Sequence, residues 1–362
     1  MKPFRSTFAA ATAATSAAVL ALALGVPAQA AAAGWSVVLT RHYGAATNYS
    51  AYTAVAAPSA DNAWAFGTTN GAGEPAPGTP VAEHWNGTKW SSSPLPSGLT
   101  SDIDAASVVS ASSVWAVTEV GGDILHWNGS TWSVSEDVPG TDLLFTGITA
   151  VSNSDVWAFG SSSVGPGNGT WHYNGHTWTQ VSSAVGLVEA SAVSAKNIWA
   201  IGSSSEGPAG DILAHYNGTT WKPVTASVLS GLQFAGIVAL SSIDVWAIAG
   251  NGMVGSGAES ELVHFNGSQW TSVTVPYSGI SLEYFAPDGQ GGFWLDALDT
   301  TSSKTWVLHY SAAGTWSRTT LRTGSMGPLA LVPGTTSLWG VGSVPTSTPA
   351  SKARIWAYGQ TG

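Results

Sequence analysis

One short phrase, "VWA" or a near variant, recurs around Trp64, Trp115, Trp157, Trp199, Trp246, Trp294 and Trp339, at spacings of 51, 42, 42, 47, 48 and 45 residues. A period of forty-odd residues marks a repeat array, in which each unit buries its apolar face only against its neighbours. A second phrase follows each of the first six copies: "HWNGTKW" from His84, "HWNGSTW" from His126, "HYNGHTW" from His172, "HYNGTTW" from His215, "HFNGSQW" from His264 and "HYSAAGTW" from His309.

Each unit divides into four short apolar runs. In the fourth these are Leu187–Val193, Asn197–Ser203, Ile212–Asn217 and Thr220–Val224. Runs of this length, rich in β-branched and aromatic residues and bounded by Gly, Ser, Asn and Pro, read as strands. Asn-Gly between the third and fourth runs predicts a type I′ hairpin. A Ser/Asp/Asn turn such as that before Val156 joins the first two. Each unit is therefore expected to be a four-stranded antiparallel blade, and the whole an all-β, seven-bladed β-propeller.

The two ends of the chain complete each other. The seventh unit has runs at Leu329–Val332, Leu338–Val341 and Arg354–Tyr358, then stops at Gly362 without a closing tryptophan strand. Near the other end, Gly34–Thr40 ("GWSVVLT") is a fourth-strand phrase with no preceding three. Pairing them closes the ring and removes two sheet edges. The expected blades are 52–96, 103–139, 145–184, 187–227, 232–276, 282–323 and 326–362, the last completed by 34–40.

The first thirty residues stand apart. Lys2 and Arg5, an Ala/Leu-rich stretch from Phe8 to Val26, and Ala28-Gln29-Ala30 have the layout of a secretory leader cleaved after Ala30. The expected protein is thus secreted and extracellular, a single domain over 31–362 with no membrane insertion. Its style of composition resembles that of high-GC Gram-positive bacteria. Cysteine is absent, so no disulfide contributes, and only 9% of residues are charged, so stability falls to the core and the closed ring. Without Lys2 and Arg5, nine basic residues face twenty-one acidic ones, a formal charge of −12. That balance repels phosphate backbones and argues against a nucleic-acid partner.

These phrases resemble repeats of secreted bacterial propellers, many actinobacterial and mostly without assigned activity. They are more distantly similar to the Asp-box and Kelch-type repeats of sialidase-like and galactose-oxidase-like propellers. The resemblance covers Gly34 to Gly362 and implies the fold. It departs from an Asp box because Asn86, Asn128, Asn174, Asn217 and Asn266 stand where aspartate belongs. Only Arg41, Arg318, Arg322 and Arg354 remain beyond the leader, so no sialidase-type arginine cluster carries over.

Residues repeated in every blade are expected to serve the scaffold. That covers the tryptophan columns and the six third-strand histidines, which symmetry places too far apart to share a metal ion. The Asn-Gly-Ser/Thr phrases match a glycosylation acceptor but read as hairpin tips. No nucleophile elbow, zinc-protease helix, calcium loop or Walker loop is present, and no catalytic residue, cofactor or metal site is assigned. Function is expected on the loop face, where the segments 68–80, 161–169, 203–211 and 251–260 vary most. Among the inner-strand residues, Glu189 breaks the pattern set by Ala54, Ala105, Gly147, Gly236, Tyr284 and Leu329. Glu189, Asp104, Glu283 and Tyr284 are the candidate ligand-binding set. The expected role is a monomeric binding protein for a glycan or a secreted or cell-surface protein. The alternative is a glycoside hydrolase or polysaccharide lyase using channel-mouth carboxylates, since glycosidases need two carboxyl groups flanking one bond.

Overall fold

The computed structural model describes residues 34–359 apart from 71–77, 100, 139–142, 163–168, 183–184, 205–211, 251–259, 322–323 and 348–349. The expected leader, Arg322 and most of the four variable loop segments lie outside the described residues. The described chain forms seven sheets, each of four antiparallel strands. In blade 4 the strands are Val185–Ser194, Asn197–Ser204, Ile212–Tyr216 and Trp221–Pro223. The seven first strands touch in cyclic order, and Ser325–Leu331 of blade 7 returns to Tyr49–Ser59 of blade 1. They line a central channel. The protein is a seven-bladed β-propeller.

Ring closure follows the pairing expected from the two ends. Strand Trp35–Arg41 lies antiparallel to Ala350–Tyr358, with Trp35 opposite Tyr358 and Arg41 opposite Ala353. The closure continues into blade 1 through Glu83, which is fully buried. Its Oε1 accepts from Arg41 Nε at 3.3 Å, the Tyr43 hydroxyl at 2.9 Å and Ser92 Oγ at 2.8 Å. Ser351 of blade 7 both accepts from the Ser50 N–H and donates to the Ser50 carbonyl, a second tie across the seam.

The repeated aromatics pack blade against blade. Trp64 stacks on His84 at 4.1 Å and receives Trp132 of the next blade edge-on at 5.1 Å. Trp115, Trp157 and Trp199 repeat this with Trp178, Trp221 and Trp270. Five of the six third-strand histidines also reach the start of their own second strand, as where His172 Nε2 lies 2.8 Å from Asp155, His215 2.9 Å from Asn197 and His126 3.0 Å from Ser113, whereas His309 lies 2.9 Å from Asp288 in the turn before that strand. These side chains are scaffold.

The hairpin tips differ from the type I′ expectation. That turn needs φ > 0 at both central residues, and Ser303 alone among the described non-glycine residues has positive φ. Instead Asn86 Oδ1 accepts from the Thr88 and Lys89 N–H groups, and the Asn86 N–H donates to the Lys89 carbonyl. The loop is a four-residue Asx-type turn, repeated at Asn128, Asn174, Asn217 and Asn266. In the first of these loops Gly87 takes the left-handed conformation, at φ +87°, and a Cβ there would come 2.9 Å from Asp61 Cβ. Asparagine is selected for its side-chain acceptor rather than for its backbone.

Candidate functional site

Every first strand carries a register break at the same height, seen as Tyr52/Ala54, Ile103/Ala105, Phe145/Gly147, Leu187/Glu189 and Phe234/Gly236. In blades 6 and 7 the breaks fall at Leu282/Phe285 and Met326/Leu329. A bulge leaves a residue out of the ladder and re-aims the side chains around it. Seven bulges at one level make a collar in the channel, and this collar brings the candidate residues together. The same register places Pro328, not Leu329, at the position of Glu189, because Leu329 pairs with Gly340 as Ala190 pairs with Ala200.

Asp104 of blade 2, Glu189 of blade 4 and Tyr284 of blade 6 line one cavity of about 220 Å³, with Thr146, Ile148 and Pro328 among the other wall residues. Glu283 occupies the same bulge as Tyr284 but is not one of the residues lining that cavity. Larger hollows exist elsewhere. Among the described residues, one of about 630 Å³ near Val55, Val109 and Phe285 has no ionisable group in its wall, and another of about 400 Å³ has only Glu261 and Tyr277. Chemistry gathers in the smaller space.

The electrostatics there are one-sided. Burial, then the nearby Glu119 and Asp102, push the Asp104 carboxyl up to about 7. Burial pushes Glu189 up to about 7 against the opposing pull of the Ile237 N–H, which donates to Oε1 at 3.3 Å. That bond crosses from blade 4 to blade 5, alongside one from the Ala239 N–H to Ser191 Oγ at 3.0 Å, so Glu189 also helps hold two blades together. Burial likewise raises Glu283. Tyr284 is 42% exposed and lines the cavity. Its pKa is raised by burial first, then by Glu283, Asp104, Asp296 and Glu189.

Asp296 is the residue that the sequence comparison missed. It stands two places beyond Trp294, where the other blades have Phe66, Val117, Phe159, Ile201, Ile248 and Val341, all buried. It is itself only 2% exposed, and it lies opposite the Glu283–Tyr284 bulge. The Ala297 N–H bonds its carboxyl, while Oδ1 is buried without a hydrogen-bond partner among the described residues. Burial, and then Glu283, raise its pKa well above the ordinary carboxylate value. In the sequence it is marked as the one acidic residue in an otherwise apolar second-strand column.

Four carboxyl groups therefore act on Tyr284, two of them in the cavity wall, and among the described residues no Lys, Arg or His lines the cavity. Arg41 is held by Glu83, and Arg318 lies 4.0 Å over the Trp306 ring on an outer strand. Among the described residues, no three His, Asp or Glu side chains are grouped to hold a metal ion. The collar can accept hydrogen bonds, receive positive charge or, at neutral pH, exchange protons.

No family model and no curated protein matches this chain. Solved structures do. It is similar to YCF48 bound to a D1 peptide at 12% identity and TM-score 0.59, over 91% of this chain and 97% of that one. It is similar to a catalytically inactive virginiamycin B lyase from Staphylococcus aureus with quinupristin at 10% identity and TM-score 0.59, over 91% and 100%. It is also similar to U3-55K at 9% identity and TM-score 0.60, over 89% and 98%. At such identities the likeness is one of fold, and the chain takes its place among seven-bladed propellers that include both a peptide-bound protein and a lyase.

Proposed function

We propose that this protein is an exported, non-catalytic recognition propeller that receives part of a partner in the acidic collar of its channel. One observation carries the proposal: Asp104, Glu189 and Tyr284, on three non-adjacent blades, converge on a single cavity. Scaffold positions are filled alike around the ring, so a convergence of unlike residues is the expected mark of a site. The peptide-bound state of YCF48 supports a protein partner on this fold by analogy. A glycan is the other partner class that the sequence suggests. Export rests on Lys2, Arg5 and the apolar stretch that follows, and amino-terminal sequencing of the protein from culture medium tests it.

A second reading, a carbohydrate-active enzyme, is favoured by one fact. Two carboxyl groups near pKa 7 share a cavity, which suits general acid–base work. One experiment separates the two. A glycan array and capture of secreted partners are run with the intact protein and with Asp104→Asn/Glu189→Gln, beside a hydrolase and lyase screen. Binding that the double substitution removes, without turnover, supports recognition. Turnover lost in the double variant supports the enzyme. Binding indifferent to the substitutions rules the collar out.

A further inference from the structure

We propose that the collar is a receptor for an organic cation, a primary ammonium or guanidinium group on a flexible stem such as a basic side chain of a partner protein. The inference rests on the collar being the binding site and specifies what enters it.

Three observations lead there. The first is charge without compensation: two carboxyl side chains, Asp104 and Glu189, line the cavity with Tyr284, and among the described residues no cationic side chain lines it. The second is independent of that cluster's sign. Asp296 replaces a residue that is apolar in the other six blades, is 98% removed from solvent, and keeps Oδ1 unpartnered. A buried, half-satisfied carboxyl contributes nothing to packing that valine or isoleucine would not. It lies opposite the Glu283–Tyr284 bulge, and so directly behind the Tyr284 part of the collar. The third is size and surface. A cavity of about 220 Å³ is small for a drug-sized ligand but suits one side chain, and the exposed Tyr284 ring offers the face that attracts ammonium and guanidinium groups. A bare metal ion fits less well, because the carboxylates are not grouped as ligands.

A proton consequence follows. Asp104, Glu189 and Tyr284 line the cavity, and Asp102, Glu119, Glu283 and Asp296 are close enough to act on them. A bound cation favours the ionised carboxylates, so binding near neutrality releases protons, and affinity climbs from pH 6 to pH 8.

The test is calorimetric titration of the purified protein with Nα-acetyl-lysine methylamide, with its Nε-acetylated neutral counterpart, and with n-butylammonium. The charged lysine probe is expected to bind at least about tenfold more tightly than the neutral one, the usual scale for losing a charge-assisted bond. Proton release should appear as a buffer-dependent enthalpy. Asp104→Asn/Glu189→Gln should weaken binding by about tenfold or more, with Glu189→Gln keeping an acceptor for the Ile237 N–H. Asp296→Asn, which removes charge but little volume, should weaken it as well. Tighter binding of the peptide-like probe than of n-butylammonium assigns the cation to a protein, and the reverse to a small amine. Equal binding of charged and neutral probes, no saturation by any cation, or affinity that falls with pH overturns the inference. If the cations fail while a glycan or partner still binds in a collar-dependent way, the recognition reading stands and only the cation is wrong.

Discussion

Trp339 of the last blade meets Trp90 of the first edge-on, with ring centroids 5.1 Å apart and planes at 86°. This is the contact that Trp64 makes with Trp132 in the next interface, so the seam is packed like any other blade boundary. The difference lies in how blade 7 is built, since its outer strand comes from the opposite end of the chain. Removing residues 31–40 exposes the edge of Ala350–Tyr358 and uncovers the Trp294 and Tyr358 rings that Trp35 touches. The truncated protein is expected to melt well below the chain that begins at Ala31, and to associate through the open edge. Calorimetry with size-exclusion chromatography checks this, and equal melting of the two would show that the clasp carries no stability.

The tie from the clasp to blade 1 predicts an asymmetric pair of substitutions. Glu83 is fully buried, and one of its oxygens collects three donors. Glu83→Ala leaves the Tyr43 hydroxyl and Ser92 Oγ without this acceptor and opens a void, for a cost of about 2–4 kcal/mol. The Arg41 side chain is 41% exposed, so Arg41→Ala should cost less than about 1 kcal/mol. Denaturant unfolding of both variants gives the ratio. Comparable losses would mean that the ion pair, rather than the buried hydrogen-bond network, holds the seam.

Asp296 predicts a gain. Asp296→Val restores the residue type of Val117 and Val341 and removes a buried oxygen without a partner. The substitution is expected to stabilise the fold by about 1–3 kcal/mol, the usual cost of an unmet buried polar group. The gain should be larger at pH 8 than at pH 5, because burial and Glu283 raise the folded-state pKa of this carboxyl and its ionisation opposes folding as the pH rises. Chemical denaturation at the two pH values measures it. A loss of stability at pH 8 would mean that the carboxyl is satisfied in solution.

How far the fold and site were legible in the sequence depends on period. The blade count and the clasp were readable because one tryptophan phrase recurs seven times, and a lone fourth-strand phrase at one end matches a three-strand unit at the other. Turn type was not. Asn-Gly is compatible with several loops, and the choice here is made by an asparagine oxygen capping two amides, a three-dimensional fact. Glu189 was visible as a break in a column, while its bond to Ile237 was not, since that partner lies 48 residues away on another blade. Leu329 was misplaced by one position because a bulge adds a residue without marking the sequence. Asp296 was legible, but only in the second-strand column, where an acidic residue is hidden beside a tryptophan repeated for packing.

The collar itself predicts that the protein loses stability between pH 6.5 and 8.5. Asp104 and Glu189 titrate at about 7 in the fold, against ordinary values of 3.8 and 4.5. With the folded pKa raised, the native chain keeps a proton that the unfolded chain has released. Each group therefore costs stability as the pH climbs from its unfolded value through about 7, and the cost is complete above it. Glu283 and Asp296 act in the same direction. Three histidines oppose them lower down. Burial holds His84, His126 and His215 below 6.5, so their contribution rises with pH up to 6.5 and is flat beyond. Asp288, lowered below 3.8 by the His309 bond against the opposing effect of burial, acts only in acid. The window from 6.5 to 8.5 thus belongs to the carboxyl groups. A decline in Tm on the order of 2–5 °C is expected there, from about 1–3 kcal/mol spread over a chain of this size. Asp104→Asn/Glu189→Gln should flatten most of that slope, since neither amide ionises. Scanning calorimetry at matched ionic strength decides it: a Tm that is level or rising across the window in the unsubstituted protein would show that these carboxyl groups meet bulk water and keep ordinary pKa values.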